Sequence, residues 1–288
     1  MNAGVFGGGP EGARRAAPST RKTGRGIAAE SLRLSPARAL LAHWPLYLIE
    51  AWALGMFMVS ASVATTLLES PGAPLYRAIG DARLRLALIG LAMGSTAVAL
   101  IYSPWGRRSG AHMNPSVTLA FLSLGRISAI DAVFYMAAQF IGGLAGVLAS
   151  WCLLGRPFAV APISFIATVP GSAGTGVAFA AEAAISLGLM LAVLEVSNNR
   201  RWSQYSGLAA GCLIACYVTF ESPLSGMSMN PARTLASALP GRIWTGLWIY
   251  FTAPCSGMWL AARIFSARTP WSERSHHGAK MVHTPDRP

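Results

Sequence analysis

The segments Ser109-Gly-Ala-His-Met-Asn-Pro-Ser-Val-Thr-Leu-Ala120 and Ser225-Gly-Met-Ser-Met-Asn-Pro-Ala-Arg-Thr-Leu-Ala236 repeat one phrase at two places in the chain. They agree at eight of twelve positions, including the initial Ser-Gly, the central Met-Asn-Pro and the final Thr-Leu-Ala. Agreement of this length at a long interval indicates an internal duplication. The sequence therefore predicts two homologous halves.

Each copy predicts a short helix with an Asn at its N-cap. A Pro follows the Asn directly, in Asn114-Pro115 and again in Asn230-Pro231. Pro suits the first helical position because its missing N–H would have no partner there. The first helix should end near Gly125 and the second near Pro240-Gly241. About ten residues at 1.5 Å each give roughly 15 Å, half the hydrocarbon thickness of a bilayer. We expect two half-helices that meet at the middle of a membrane.

The composition predicts an all-α membrane protein. Hydrophobic residues make up 53% of the 288 residues, and charged residues only 12%. Long apolar stretches are read as helices because a backbone in lipid must satisfy its own hydrogen bonds, and the alternating pattern of a membrane β-barrel is absent. We predict six spanning helices, near 44–68, 84–103, 129–153, 176–197, 204–221 and 244–265.

The two ends of the chain differ from the rest. Residues 1–40 and 266–288 are rich in Gly, Pro, Ser and basic residues, and we predict disordered tails there. They flank a domain at 41–265, made of one repeat at about 44–155 and a second at about 176–265.

The net charge of +12 is typical of nucleic-acid-binding proteins. Here, however, Lys and Arg are concentrated in the tails and in the loops on one side of the predicted membrane, as is usual in membrane proteins. We therefore expect no nucleic-acid partner. The surroundings should be a lipid bilayer, with both termini on the cytoplasmic side.

Three spans in each half force the second half to cross the membrane in the inverted orientation. The half-helices then enter from opposite faces and point their positive N-terminal ends at each other. The residues ahead of each Asn should be extended and should line a polar cavity, because irregular backbone at membrane depth requires one. The backbone predicted to line it is that of Gly110, Ala111, His112 and Met113, and of Gly226, Ser228 and Met229.

These residues resemble the aquaporin and glycerol-facilitator family, also called major intrinsic proteins, over about 44–265. The resemblance implies six helices and two half-helices around one pore per subunit, a homotetramer, and a bacterial inner (plasma) membrane as the location. It implies a channel and not an enzyme, with water and small neutral solutes as partners and with no cofactor or metal. The boxes that carry the resemblance are Asn114, Pro115, Ser116 and Asn230, Pro231, Ala232.

Other positions match the family residue by residue. Glu50 and Glu182, at equal places in the two halves, match a buried Glu that accepts backbone N–H bonds from the pore loops, and Gln139 matches a supporting Gln of the third span. Proton transfer is the alternative role for the two carboxyl groups. His112 matches a loop His, with simple packing as its alternative. Arg233 matches the Arg of the narrow filter, with a salt bridge or an interfacial anchor as its alternative.

Selectivity depends on positions that differ from a strict water channel. Spacing from the two Asn residues places the filter at Gly94, Val218, Met227 and Arg233. The first two lack the bulky aromatic and the His of water channels, which favours water together with glycerol, urea or metalloid hydroxides. Ser116, in place of Ala, is similar to members that pass metalloid acids.

A second set of positions favours a different solute. Four residues are like those of strict water channels: Thr234, Ala238, Tyr250 and Phe251. A strict water channel therefore stays open as an alternative, and an ion-coupled secondary transporter, which also uses inverted repeats, is a further one.

Overall fold

The computed structural model describes residues 35–268, and long helices dominate this part of the chain. Residues 1–34 and 269–288, which hold most of the two predicted tails, lie outside the described residues. Six long helices and two short ones form the framework: α1 (Pro36–Glu69), α2 (Ala82–Tyr102), α3 (Pro115–Ser123), α4 (Ala129–Leu154), α5 (Thr175–Asn198), α6 (Ser206–Phe220), α7 (Pro231–Gly241) and α8 (Leu247–Arg268).

The six long helices occupy the six predicted spans, and the predicted ends need small corrections. Helix α1 begins at Pro36 and not at 44, because the Ser35 hydroxyl caps it by accepting the Arg38 N–H at 3.4 Å, and Pro36 suits the first turn. The tail predicted for 1–40 is therefore wrong for residues 36–40. At the other end, α8 continues to Arg268, so the tail predicted for 266–288 is wrong for residues 266–268.

Helices α1, α2, α4 and α5 are each long and apolar enough to cross a membrane by length and composition. Helix α6 has only 15 residues, about 22 Å at the usual rise, and a short helix, Ser222–Ser225, follows it directly. Helix α8 has 22 residues, among them Arg263 and Arg268.

The two repeats are interleaved. Within each repeat the first long helix packs on the last, α1 on α4 and α5 on α8, and the two middle helices, α2 and α6, pack on each other. Each half-helix packs mainly on the last helix of the opposite repeat, α3 on α8 and α7 on α4. These paired contacts are those of an inverted repeat, and they hold both half-helices inside the bundle.

Glycines permit the closest helix contacts. A Cβ at Gly142 of α4 would overlap the Ala51 carbonyl of α1, and a Cβ at Gly257 of α8 would overlap the Ala183 carbonyl of α5. The two contacts are equivalent in the two repeats. Small residues at such crossings let helix backbones approach in lipid, where association depends on van der Waals packing.

Candidate functional site

The N-terminal ends of the half-helices meet and are bonded to each other. Asn114 caps α3, where its Oδ1 accepts the Ser116 N–H at 2.8 Å, and its Nδ2 donates to the Met229 carbonyl at 2.7 Å. Asn230 caps α7 in the same way, and its Nδ2 donates to the Met113 carbonyl at 2.7 Å. An amide has two N–H donors. One amide hydrogen of each Asn therefore bonds to a carbonyl of the opposite loop. The second amide hydrogen is available to donate to a molecule in the lumen.

The segments that precede the two Asn residues are not extended, so that prediction is wrong. Ala111 and Met113 have φ of 48° and 49°, and Met227 and Met229 have φ of 48° and 52°, all in the left-handed region. Such residues cost of order 1–3 kcal/mol each. In each loop the N–H groups of two successive residues turn to the same side, where one acceptor group can bind both of them.

The carboxyl group of Glu50 is that acceptor in the first repeat. Its Oε1 accepts the His112 N–H at 3.0 Å and the Ser109 hydroxyl at 2.7 Å, and its Oε2 accepts the Met113 N–H at 2.6 Å. Gln139 donates from Nε2 to the same Oε2 at 2.8 Å. Glu50 and Gln139 are fully buried behind the loop and do not line the lumen.

Glu182 repeats the arrangement in the second half. Its Oε1 accepts the Ser228 N–H at 2.6 Å and the Ser225 hydroxyl at 2.9 Å, and its Oε2 accepts the Met229 N–H at 2.7 Å. The two carboxyl groups thus bind the N–H groups of the loops. The loop carbonyls stay available to other donors, and those of Met113 and Met229 accept the Asn amide hydrogens.

A pair of tyrosines completes the support. Tyr135 of α4 donates its hydroxyl hydrogen to the Ser109 carbonyl at 2.8 Å, and Tyr250 of α8 donates to the Ser225 carbonyl at 2.6 Å. Both tyrosines are buried. The sequence reasoning missed this role, although the equal positions of the two residues in the repeats could have indicated it.

One cavity of about 440 Å³ runs past both half-helix ends. Residues from the two ends of the bundle line it, from Glu69 and Leu86 to Ile101 and Ser206. The predicted residues that line it are Gly110, Ala111, His112, Met113, Asn114, Val218, Gly226, Met227, Ser228, Met229, Asn230 and Arg233. The loops give it a polar wall, and helices α1, α2, α5 and α6 give it an apolar one.

The comparison with known sequences identifies the family of this arrangement. The sequence profile described as "Major intrinsic protein" matches residues 42–265. The chain belongs to the major intrinsic protein family.

Two relatives with similar sequences come from plants. The chain is 35% identical to aquaporin NIP2-3 of Zea mays over 216 residues, which cover 74% of this chain and 69% of that protein. It is 32% identical to aquaporin NIP1-2 of Arabidopsis thaliana, over 69% of this chain and 70% of that one. These relatives do not support the expectation of a bacterial inner membrane.

The fold also matches a solved structure. The aquaglyceroporin of Plasmodium falciparum superposes with a TM-score of 0.65 at 20% identity, over 78% of this chain and 96% of that chain, which shows a shared fold. The chain is thus an integral multi-pass membrane protein, and family membership supports a passive channel for water and small uncharged solutes.

Three of the four predicted filter residues of this major intrinsic protein lie on the cavity, and Gly94 does not. A Cβ at Gly94 would overlap the Gly211 carbonyl of α6, so this face of α2 contacts a neighbouring helix. Met93, the preceding residue, lines the cavity instead. The prediction fails here because the spacing from Asn114 crosses the connection between α2 and α3, which contains a short helix, Pro104–Ser109.

The remaining residues of the two boxes are buried behind the half-helix ends. Pro115, Ser116, Pro231 and Ala232 do not line the cavity. The Ser116 hydroxyl lies 3.3 Å from the Cys255 sulfur of α8. Ser116 therefore links a half-helix to the last helix of the opposite repeat and does not line the cavity.

His112 both packs and lines the cavity. Its ring stacks on Phe121 with 4.8 Å between ring centres, and its Nδ1 lies 3.1 Å from the Thr118 hydroxyl. Within residues 35–268 we find no group of three His, Cys, Asp or Glu residues placed to bind a metal ion.

The sequence reasoning also missed the segment between the repeats. Pro162, Ile163, Ile166 and Ala167 line the cavity, although this segment has no periodic pattern to indicate such a role.

Proposed function

We propose that this channel conducts water together with small uncharged solutes of the glycerol, urea or metalloid hydroxide type. The observation that carries the proposal is the lining around the filter arginine. Val218 and Met227 line the same cavity as Arg233, and both are apolar. Arg233 is the one Arg or Lys among the described residues on the cavity wall.

The two-sided cavity suits such solutes. A polyol can place its hydroxyl groups along the loop carbonyls and the Asn amides, and its C–H groups along the apolar wall. That wall includes Leu54, Phe57, Ile89, Met190 and Ile214. Water uses the polar side alone. A purely polar lumen would favour water over a three-carbon polyol, so the apolar wall favours the wider range of solutes.

Ions and protons are excluded by three effects. Each half-helix N-terminus carries about half a positive charge, and both point at the lumen beside Arg233. A mostly apolar tube penalises the loss of an ion's hydration shell. The free N–H of Asn114 and of Asn230 orients a passing water as an acceptor, which interrupts a chain of water-to-water hydrogen bonds. No covalent step and no cofactor enters this mechanism.

A strict water channel is the second candidate, and burial weakens the case for it. Thr234, Ala238 and Tyr250 are each at most 1% exposed, and they do not line the cavity. Phe251 also lies off the cavity and stacks on Phe140. The side chains at these four water-channel-like positions therefore pack against other parts of the protein, whereas those of Val218 and Met227 can contact solute.

An ion-coupled transporter is less well supported. The carboxylates of Glu50 and Glu182 are engaged by loop N–H groups, and releasing those groups to carry an ion would leave them without partners. Of the two other acidic residues within the spans, Glu195 is exposed on the outside of the bundle, and Glu221 is buried but does not line the cavity.

The topology and the assembly are also proposals. Both termini are placed on the cytoplasmic side, because the tails and the segments 104–128 and 198–203 carry most of the Lys and Arg. Four copies are proposed to assemble, each with its own pore, in keeping with the resemblance stated above. Native mass spectrometry of the detergent-solubilised protein tests the assembly, and a mass of one or two chains contradicts it.

Stopped-flow light scattering on proteoliposomes tests the solute range. Vesicles are challenged in turn with sucrose, glycerol, urea and boric acid. The proposal predicts fast shrinkage in every case, followed by re-swelling with the last three and not with sucrose. Shrinkage without re-swelling in all four would establish a strict water channel.

A further inference from the structure

The segment between the two repeats enters the channel. After α4 the chain continues into a short helix, Arg156–Ala159, and a turn, Ser164–Ile166. Phe158 and Phe165 are buried and anchor the segment, with 5.3 Å between their ring centres. Pro162, Ile163, Ile166 and Ala167 then reach the cavity wall. The next residue is a threonine.

Thr168 contacts the filter arginine from behind. It is 4% exposed and does not line the cavity, whereas Arg233 does. Arg233 donates a hydrogen bond from Nη1 to the Thr168 hydroxyl oxygen. The guanidinium is thereby held toward the wall and away from the middle of the lumen.

Two further contacts fix Thr168 in place. A Cβ at Gly226 would lie 2.9 Å from the Thr168 methyl carbon, so the glycine makes room for the threonine. Three residues later, the Gly171 N–H donates to the Leu224 carbonyl at 2.9 Å. The threonine thus packs against the start of the loop that carries Met227, and the segment that carries the threonine is bonded beside that loop.

We infer that Thr168 is a positioning residue for selectivity: its hydroxyl holds the Arg233 guanidinium against the wall and so keeps the filter wide enough for solutes larger than water. The inference rests on the proposed function. A guanidinium without this partner must find its hydrogen bonds in the lumen water, and it then occupies space that a polyol needs.

The test compares Thr168→Val with Thr168→Ser in proteoliposomes. Val keeps the shape and removes the acceptor, and Ser keeps the acceptor. The guanidinium of Arg233 is either bonded to Thr168 at the wall or turned into the lumen. Loss of one hydrogen bond to a charged group shifts the equilibrium between these two positions by about tenfold. In Thr168→Val we expect the glycerol-to-water permeability ratio to fall about threefold or more, with water flux per channel reduced less. Thr168→Ser should keep the wild-type ratio.

Thr66→Val is the matched control. Thr66 is equally buried, but its hydroxyl has no hydrogen-bond partner among the described residues, so the ratio should not change. A second control uses the Arg233→Ala background, where Thr168→Val should have no further effect on the ratio.

Three outcomes would overturn the inference and leave the proposed function intact. The first is an unchanged glycerol-to-water ratio in folded Thr168→Val, and the second is a ratio as low in Thr168→Ser as in Thr168→Val. The third is an equal fall of the ratio when Thr168→Val is added to Arg233→Ala. A wild-type protein that passes water but no glycerol would overturn both, and the wild-type measurement alone detects that case.

Discussion

The carboxylate of Glu182 is expected to be essential for the second pore loop, and two substitutions separate its possible roles. Glu182→Leu removes the acceptor of two backbone N–H groups, those of Ser228 and Met229. Each unpaired buried N–H costs about 1–3 kcal/mol, so the loss is about 2–6 kcal/mol. Glu182→Gln keeps one oxygen and exchanges the other for an N–H₂ group. One backbone N–H then lacks an acceptor, at about 1–3 kcal/mol.

Thermal stability in detergent measures this difference. The fraction of protein that stays monodisperse after heating is followed by size-exclusion chromatography. For a chain of this size 1 kcal/mol corresponds to about 2–4 °C, so the Leu variant should lose about 4 °C or more and the Gln variant less. Glu195→Leu is the control, because Glu195 is exposed, and it should keep the wild-type midpoint.

Equal midpoints for wild type and Glu182→Leu would refute the reasoning, since the loop would then not need the carboxylate. Normal folding of both variants together with equal loss of a proton-dependent flux would show that Glu182 carries a proton.

Val218→His should place a polar side chain on the cavity beside Arg233, so glycerol permeability should fall more than water permeability in stopped-flow measurements; an unchanged ratio would mean that Val218 does not form the constriction. Gly94→Ala should lower the thermal midpoint without altering the ratio in the folded fraction, because a Cβ there overlaps the Gly211 carbonyl. Met93→Ala should raise the glycerol-to-water ratio in the folded fraction, since Met93 lines the cavity, and should also lower the thermal midpoint, since Met93 is a buried core residue. A Gly94→Ala variant that changes the ratio would restore Gly94 to the filter.

Local signals in the sequence were enough to predict the half-helices. The Asn-Pro pairs fix the N-caps of α3 and α7, and the repeated phrase fixes their relation, so their lengths and their meeting agree with the prediction. The start of α1 is also indicated locally, because Ser35-Pro36 is an ordinary N-terminal signal, whereas the apolar pattern alone begins only near residue 44.

Features that depend on distant residues could not be derived in this way. The left-handed conformation of Met113 and Met229 results from carboxylates on α1 and α5, far away in the sequence. The direction of Gly94 depends on how α2 is rotated against α6, and spacing along the chain contains no information on that rotation. Thr168 lies in a segment that packs against both repeats, through Phe165 on Trp151 and through Thr168 on Gly226, and no periodic pattern indicates it.

Passive conduction is the central claim, and glycerol uptake under imposed ion gradients tests it most directly. Proteoliposomes are loaded so that a proton gradient, a sodium gradient or neither is present, and re-swelling in glycerol is recorded by light scattering. The account predicts the same rate in all three conditions, with a low activation energy. Loss of glycerol entry when the proton or sodium gradient is collapsed in intact vesicles would contradict it, and the ion-coupled transporter would replace the channel.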